Sequence, residues 1–229
     1  MSQQRDDTTE PDEPSGEGQS PKPGSYYYDD GTGYEIYDPE KDDEDEVGEP
    51  TNPEVFDVQP HLIGELIEVR PLRQEDWDGL YAIASDPLIW EQHPVNERYK
   101  EDVFREFFRE ALASGGAFAV IDRKTQRVIG SSRYFGFDPV GSEIEIGWTF
   151  LARAYWGGRY NGELKRLMLD HAFKFVESVV FMIGPTNTRS RKAVERIGGV
   201  LTERKQSANL NGRLVEHVVY EIRRPSGPL

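Results

Sequence analysis

Between Glu143 and Gly199 the hydrophobic pattern changes character at every step, and that ordering limits the fold more than any other feature of the chain. EIEIGWTF alternates with a period of two, which reads as a strand. LARAYWGGRYN carries two adjacent glycines, a turn. Leu164, Leu167, Met168, Ala172, Phe173 and Val176 then recur at helical spacing, so this face of an amphipathic helix is core. VVFMI is a short buried strand. NTRSRKAVERIGG opens on the helix-capping Asn187 or Thr188 and stops at Gly198. A glycine turn that feeds a helix N-terminus is an anion site, because free backbone N–H groups and the helix dipole converge on one spot.

The flanking segments add strands and helices. Glu65–Leu72 reads as a first strand and 73–84 as a helix with Trp77, Leu80, Tyr81 and Ala84 on one face; Asp86-Pro87 breaks it. A loop, LIWEQHPVNERY, follows. Lys100–Ala113 is a second helix, with Val103, Phe104, Phe107, Phe108 and Ala111 inward. Residues 117–121 and 128–134 form a hairpin, and Leu214–Ile222 is a final strand after the NLNG turn. The expected fold is α/β, with a mixed, mostly antiparallel central sheet flanked by helices.

Charge divides the 229 residues. Residues 1–52 hold 17 Asp and Glu against 3 Lys and Arg, and residues 53–229 hold 25 against 24. The first stretch is expected to be a disordered acidic tail; its Tyr26, Tyr27, Tyr28, Tyr34 and Tyr37 also suit docking to a protein partner. The rest is one near-neutral domain without the basic excess of a general nucleic-acid binder. The chain has no cysteine, so a thiolate zinc site and a cysteine-linked acyl-enzyme are excluded. With no apolar leader and no run approaching a membrane span, a cytoplasmic protein with no membrane partner is expected.

The segment 143–199 resembles the acetyl-CoA-binding core of the GNAT N-acetyltransferases, on EIGW, the Trp-Gly turn, a helix ending in HAF, and an Asn-X-X-Ser helix ending at Gly. It is most similar to the branch of ribosomal-protein N-terminal acetyltransferases, over about Leu62 to Ile222. The resemblance implies an acetyl-CoA-dependent transfer of acetyl to a primary amine of a protein or small molecule, with no metal. A non-catalytic acyl-CoA-binding or regulatory domain, and an interaction protein working through its tail, stand as alternatives.

The resemblance also implies roles. Phe150, Leu151, Trp156, Gly157, Gly158, Arg159, Tyr160, Asn161 and Asn187 would contact acetyl-CoA, with Arg159 near the phosphates. Glu145 would be the general base and Glu143 its reserve, while Ser190 would be the acid, because Val194 stands where many members carry a tyrosine. Alternation places Ile144, Ile146, Trp148 and Phe150 on one strand face, and Glu143, Glu145, Gly147 and Thr149 on the other. A base matters because neutralising a lysine-type amine at pH 7 costs about 4.6 kcal/mol, against about 1 kcal/mol for an α-amine. His171 reads as structural, Lys165 and Arg166 as solvated helix face, and Trp90, Glu91 and His93 as a loop over the acceptor. Tyr220, Glu216 and His217 receive no role.

Overall fold

The computed structural model describes residues 56–210 and 213–226, with Tyr27–Tyr28 and Glu35–Ile36. The chain divides into two units, Met1–Thr51 and Asn52–Leu229. In the first, β1 (Tyr27–Tyr28) pairs antiparallel with β2 (Glu35–Ile36). The tail expected over residues 1–52 otherwise lies outside the described residues.

In the second unit, β3 (Leu62–Ile63), β4 (Ile67–Pro71), β5 (Ala117–Asp122), β6 (Arg127–Asp138), β7 (Glu143–Leu151), β8 (Ser178–Ile183), β9 (Val200–Leu210) and β10 (Arg213–Arg223) form one sheet. Its order is β3-β4-β5-β6-β7-β8-β10-β9. Only β7–β8 is a parallel pair; all other neighbours run antiparallel. The helices are α1 (Trp77–Ala84), α2 (Pro87–Trp90), α3 (Glu101–Ala113), α4 (Arg159–Ala172) and α5 (Thr188–Glu195). The mixed, mostly antiparallel α/β sheet is the expected one. Among the described residues no helix is long and apolar enough to cross a membrane.

Two cores lie on opposite faces. Along β5, Phe118 and Val120 join one core with Leu164, Met168 and Ala172 of α4. Ala117, Ala119 and Ile121 join the other, with Leu80 of α1, Trp90 of α2 and Phe104, Phe107 and Phe108 of α3. This is the alternation of a strand buried on both sides. Three elements differ from expectation. Residues 74–76 form a 3₁₀ turn before α1, where Asp76 takes the Arg70 fork at 2.6 and 2.8 Å and the Arg73 N–H at 2.9 Å. The segment after Asp86 starts with a helical turn, α2, because the Asp86 carboxylate accepts the Leu88 N–H and Pro87 occupies the first turn. Strand β9 has no counterpart among the expected elements; its ERKQS stretch is polar and is held by cross-strand pairing with β10.

Strand β7 corrects the expected faces. Ile144 and Ile146 enter the α4-side core, but Phe150 enters the opposite one, with Trp148 packed against it. Between the pairs Arg133↔Gly147 and Ser131↔Phe150, β7 holds Trp148 and Thr149 opposite the single Ser132 of β6. Trp148 has φ +51°. This bulge shifts the alternation by one residue, so side chains beyond it change face. Trp148 and Phe150 therefore do not share a face with the isoleucines, and Thr149 does not share one with the glutamates.

Candidate active site

Strands β7 and β8 pair only at Glu143↔Ser178, Ile144↔Val179 and Glu145↔Val180. Beyond Glu145 they part, and backbone groups on the inner edge of β7 have no β8 partner. Two cavities lie at this opening, the smaller between β7 and β8 and the larger between β7, α4 and α5, sharing Trp90, His93, Thr149, Asn161, Asn187 and Ser190 as walls. The larger, about 630 Å³, adds Phe150, Leu151, Trp156, Gly157, Gly158, Arg189 and Arg196. The smaller, about 160 Å³, adds Arg98, Gly147, Trp148, Lys165, Val194 and His217.

The helix starts bordering the larger cavity are unlike. At α5, Asn187 Oδ1 accepts the Ser190 N–H at 3.1 Å and Gln92 Oε1 accepts the Arg189 N–H at 3.0 Å, so its first-turn donors are used. At α4 the cap is Gly158, with no side-chain cap. Asn161 sits inside the helix and is not its cap. Gly157 has φ +91° and Gly158 φ +153°, and a Cβ on either would meet nothing within 4 Å. The turn thus needs glycine for its backbone angles and opens its free N–H groups to the cavity, as a pyrophosphate site requires. The cations on this wall are Arg189, stacked 4.3 Å over Trp156, and Arg196. Arg159 instead faces Glu65 at 3.8 Å, exposed, and Tyr160 packs edge-on to Tyr155 at 4.7 Å; neither lines either of these two cavities.

The two glutamates differ in availability. Glu143 is clamped by Arg204, at 2.6 and 2.8 Å, and accepts the Ser178 hydroxyl at 3.2 Å. Glu145 is buried, and burial pushes its carboxyl up to about 8, against the opposing pull of Arg133. It lies under the cavity wall: a Cβ on Gly147 would sit 2.8 Å from its Oε1. Ser190 lines both cavities, and Val194 is buried beside it.

Lys165 is not on a solvated face. It is buried in the smaller cavity, donates to Thr149 Oγ1 at 2.6 Å, and lies 5.5 Å from the Phe181 ring centroid. Burial lowers its amine to about 7. Arg166, its neighbour, is exposed and pairs with Asp170 at 3.1 Å. Helical spacing carried a signal for this, since Lys165 precedes Met168 by three residues and Ala172 by seven and so lies on the buried stripe. Arg98 and Arg133 are also buried, with no local pattern to reveal it. Trp90 donates to the Ala84 carbonyl at 2.7 Å, and Glu91 is exposed. His171 is structural, its Nε2 bonded to the Asp57 carbonyl at 2.7 Å. Tyr220 holds Glu195 and Arg191 through its hydroxyl.

The model of the acetyltransferase (GNAT) domain matches residues 67–200, more than half of the chain. No curated protein sequence matches. Among solved structures, a GCN5-related N-acetyltransferase from Brucella melitensis superposes with TM-score 0.64 at 22% identity, covering 72% of this chain and 79% of that one. An acetyltransferase from T. thermophilus gives 0.60 at 26% identity, over 71% and 88%. Mycobacterium smegmatis RimJ, solved in complex with CoA-disulfide, gives 0.56 at 17% identity, over 72% and 88%. With the divergent parallel pair, the bulged strand and the uncapped glycine turn in one cleft, the chain belongs to the GNAT acetyltransferase family.

Proposed function

We propose that the chain moves an acetyl group from acetyl-CoA directly to a primary amine. The observation that carries this reading is the cleft that opens where β7 and β8 part, in which a cavity of about 630 Å³ between β7, α5 and the uncapped start of α4 shares walls with a smaller one of about 160 Å³ between β7 and β8. The larger fits the nucleotide and pantetheine parts of the co-substrate. Gly157, Gly158 and the first N–H groups of α4 receive the pyrophosphate, with Arg189 and Arg196 adding positive charge. Asn187 and Ser190 border the arm at the junction.

The thioester carbonyl meets backbone N–H groups of β7 beyond Glu145, where β8 no longer takes part in pairing. The amine attacks that carbonyl carbon as a neutral nucleophile; the C–S bond breaks, and the pair of electrons leaves on the CoA sulfur. Glu145 accepts the proton lost by the amine, through a water at Gly147, because the carboxylate stands behind that glycine. Glu143 is held by Arg204 and Ser178 and serves the sheet. The CoA thiolate, with a pKa near 8.5, needs little help from Ser190 to leave at neutral pH. Calorimetry with CoA and a thiol-release assay with acetyl-CoA and an amine panel test the reading. No CoA binding by the folded chain, or binding without amine-dependent thiol release, refutes it.

A further inference from the structure

The smaller cavity holds a surplus of hydrogen-bond donors that acetyl transfer alone leaves unexplained. Arg98, Lys165, His93 and His217 line it, and among the described residues no Asp or Glu does. Arg98 is buried between two rings, 4.6 Å from the Phe107 centroid and 5.5 Å from that of Trp90. Among the described residues it makes no ion pair, and its bonded partner is His93 Nε2 at 3.0 Å. Arg133 lies 5.8 Å from the same Phe107 ring and 4.6 Å from Trp148, and its Nε and Nη2 are buried without any partner among the described residues. The acids whose fields reach Arg133, Glu110 and Glu145, form no ion pair with it.

His93 sharpens the imbalance. The Val95 N–H points at its Nδ1 at 2.9 Å while Arg98 points at its Nε2. A neutral imidazole has one acceptor nitrogen, so one of these donors goes without, and a protonated ring would leave both without. Burial and the Arg98 charge hold His93 down at about 3, so the ring stays neutral. Guanidiniums removed from water without an anion are costly, and each such group calls for a reason.

We propose that this cavity is the acceptor subsite and that it selects an amine carrying a carboxylate, which Arg98 receives. The inference rests on the acetyltransferase reading above. A carboxylate supplies the acceptor that Arg98 lacks, takes two parallel N–H bonds from its guanidinium fork, and adds a negative charge to a cavity that no Asp or Glu lines among the described residues; Arg133 lies outside that lining. Stacking on Phe107 and Trp90 fixes the plane of that fork. At about 160 Å³ the cavity is close to the roughly 150 Å³ that holds one benzene, the scale of a small amino-acid-like molecule. A polyamine would set further ammonium groups against Arg98 and is disfavoured.

The test offers the full-length protein acetyl-CoA with the twenty free amino acids, their carboxamides, spermidine and C-terminally amidated peptides. For the best acceptor, kcat/KM for the acid should exceed that for its carboxamide at least tenfold. Arg98→Gln should collapse that ratio towards one through KM, with CoA affinity by calorimetry unchanged, and Arg98→Lys should restore part of it. Equal rates for acid and carboxamide, preference for spermidine or an amidated peptide, or a ratio that survives Arg98→Gln would overturn the proposal. The wild-type ratio decides even if an Arg98 variant misfolds. If CoA binds but no amine turns over, thermal shifts of the CoA-loaded protein with N-acetyl amino acids and their amides decide: carboxylate-specific stabilisation supports the subsite, and none overturns it. Absence of CoA binding removes the acetyltransferase reading itself and this inference with it, an outcome distinct from CoA binding without discrimination.

Discussion

Replacing Lys165 with methionine should stabilise the protein at neutral pH and do so less and less as pH rises. The lysine amine is fully buried, and burial lowers it from 10.5 to about 7. An unfolded chain at pH 7 keeps its lysine protonated, whereas the folded one holds about half a proton there. The shift of about 3.5 units, at 1.36 kcal/mol each, thus costs folding about 4 kcal/mol at pH 7. Methionine fills nearly the same volume without charge. It forfeits the 2.6 Å bond to Thr149, worth about 1 kcal/mol, leaving a net gain of about 3 kcal/mol. The sign follows from a cation whose folded pKa is depressed: the penalty is complete below about 7 and disappears as pH rises towards 10.5. At pH 10 only about 1 kcal/mol of it remains, and the lost bond cancels the gain. Urea unfolding of both proteins at pH 7 and pH 10 measures the two differences. A Lys165→Met protein that is less stable at pH 7, or one whose difference from wild type is the same at both pH values, refutes the burial of an unpaired amine.

On the proposed mechanism, the acid limb of the rate profile should belong to Glu145. Its carboxyl must be ionised to accept a proton and is raised to about 8, so kcat should climb with pH through about 8. Glu145→Gln should lower kcat by about 10²-fold or more and abolish that limb, with KM for acetyl-CoA little changed, while Glu143→Gln costs less; a normal limb in Glu145→Gln would assign the proton elsewhere. Gly158→Val must hold φ near +153° with a branched side chain and projects into the larger cavity. It should raise KM for acetyl-CoA at least tenfold, about 1.4 kcal/mol, with the circular dichroism of the native protein retained, and an unchanged KM would move the phosphates off this turn. A chain beginning at Asn52 should bind CoA as the whole chain does by calorimetry, because every residue lining both cavities lies beyond that point; a weakened affinity would give the acidic segment a part in the site.

Much of the fold was legible because its signals are local. The period-two run at 143–147, the apolar stripe of α4, the glycine turn and the Asn187 cap each depend on residues a few positions apart, and each stands in the structure. The order strand–turn–helix–strand–helix follows from the same information, while the candidate residues Phe150, Leu151, Trp156, Asn161, Asn187 and Ser190, which the resemblance implied, line one cavity.

What tertiary structure decided is what non-local packing decides. The bulge at Trp148 exists because β6 offers one residue where β7 offers two, and no periodicity within β7 announces it. Strand β9 is polar along much of its length and is a strand because β10 lies beside it. Arg204, from that unexpected strand, clamps Glu143, sixty-one positions away. Charge is the plainest case. In sequence, Arg98 and Arg133 are ordinary basic residues in a near-neutral domain, and Lys165 is set apart only by its place on the apolar stripe of α4. Only the closing of α3, α4 and the β7–β8 cleft around them removes their water without giving any of the three an ion pair among the described residues, and desolvation, a property of the assembled interior, is what sets Arg98 and Lys165 in the wall of the smaller cavity.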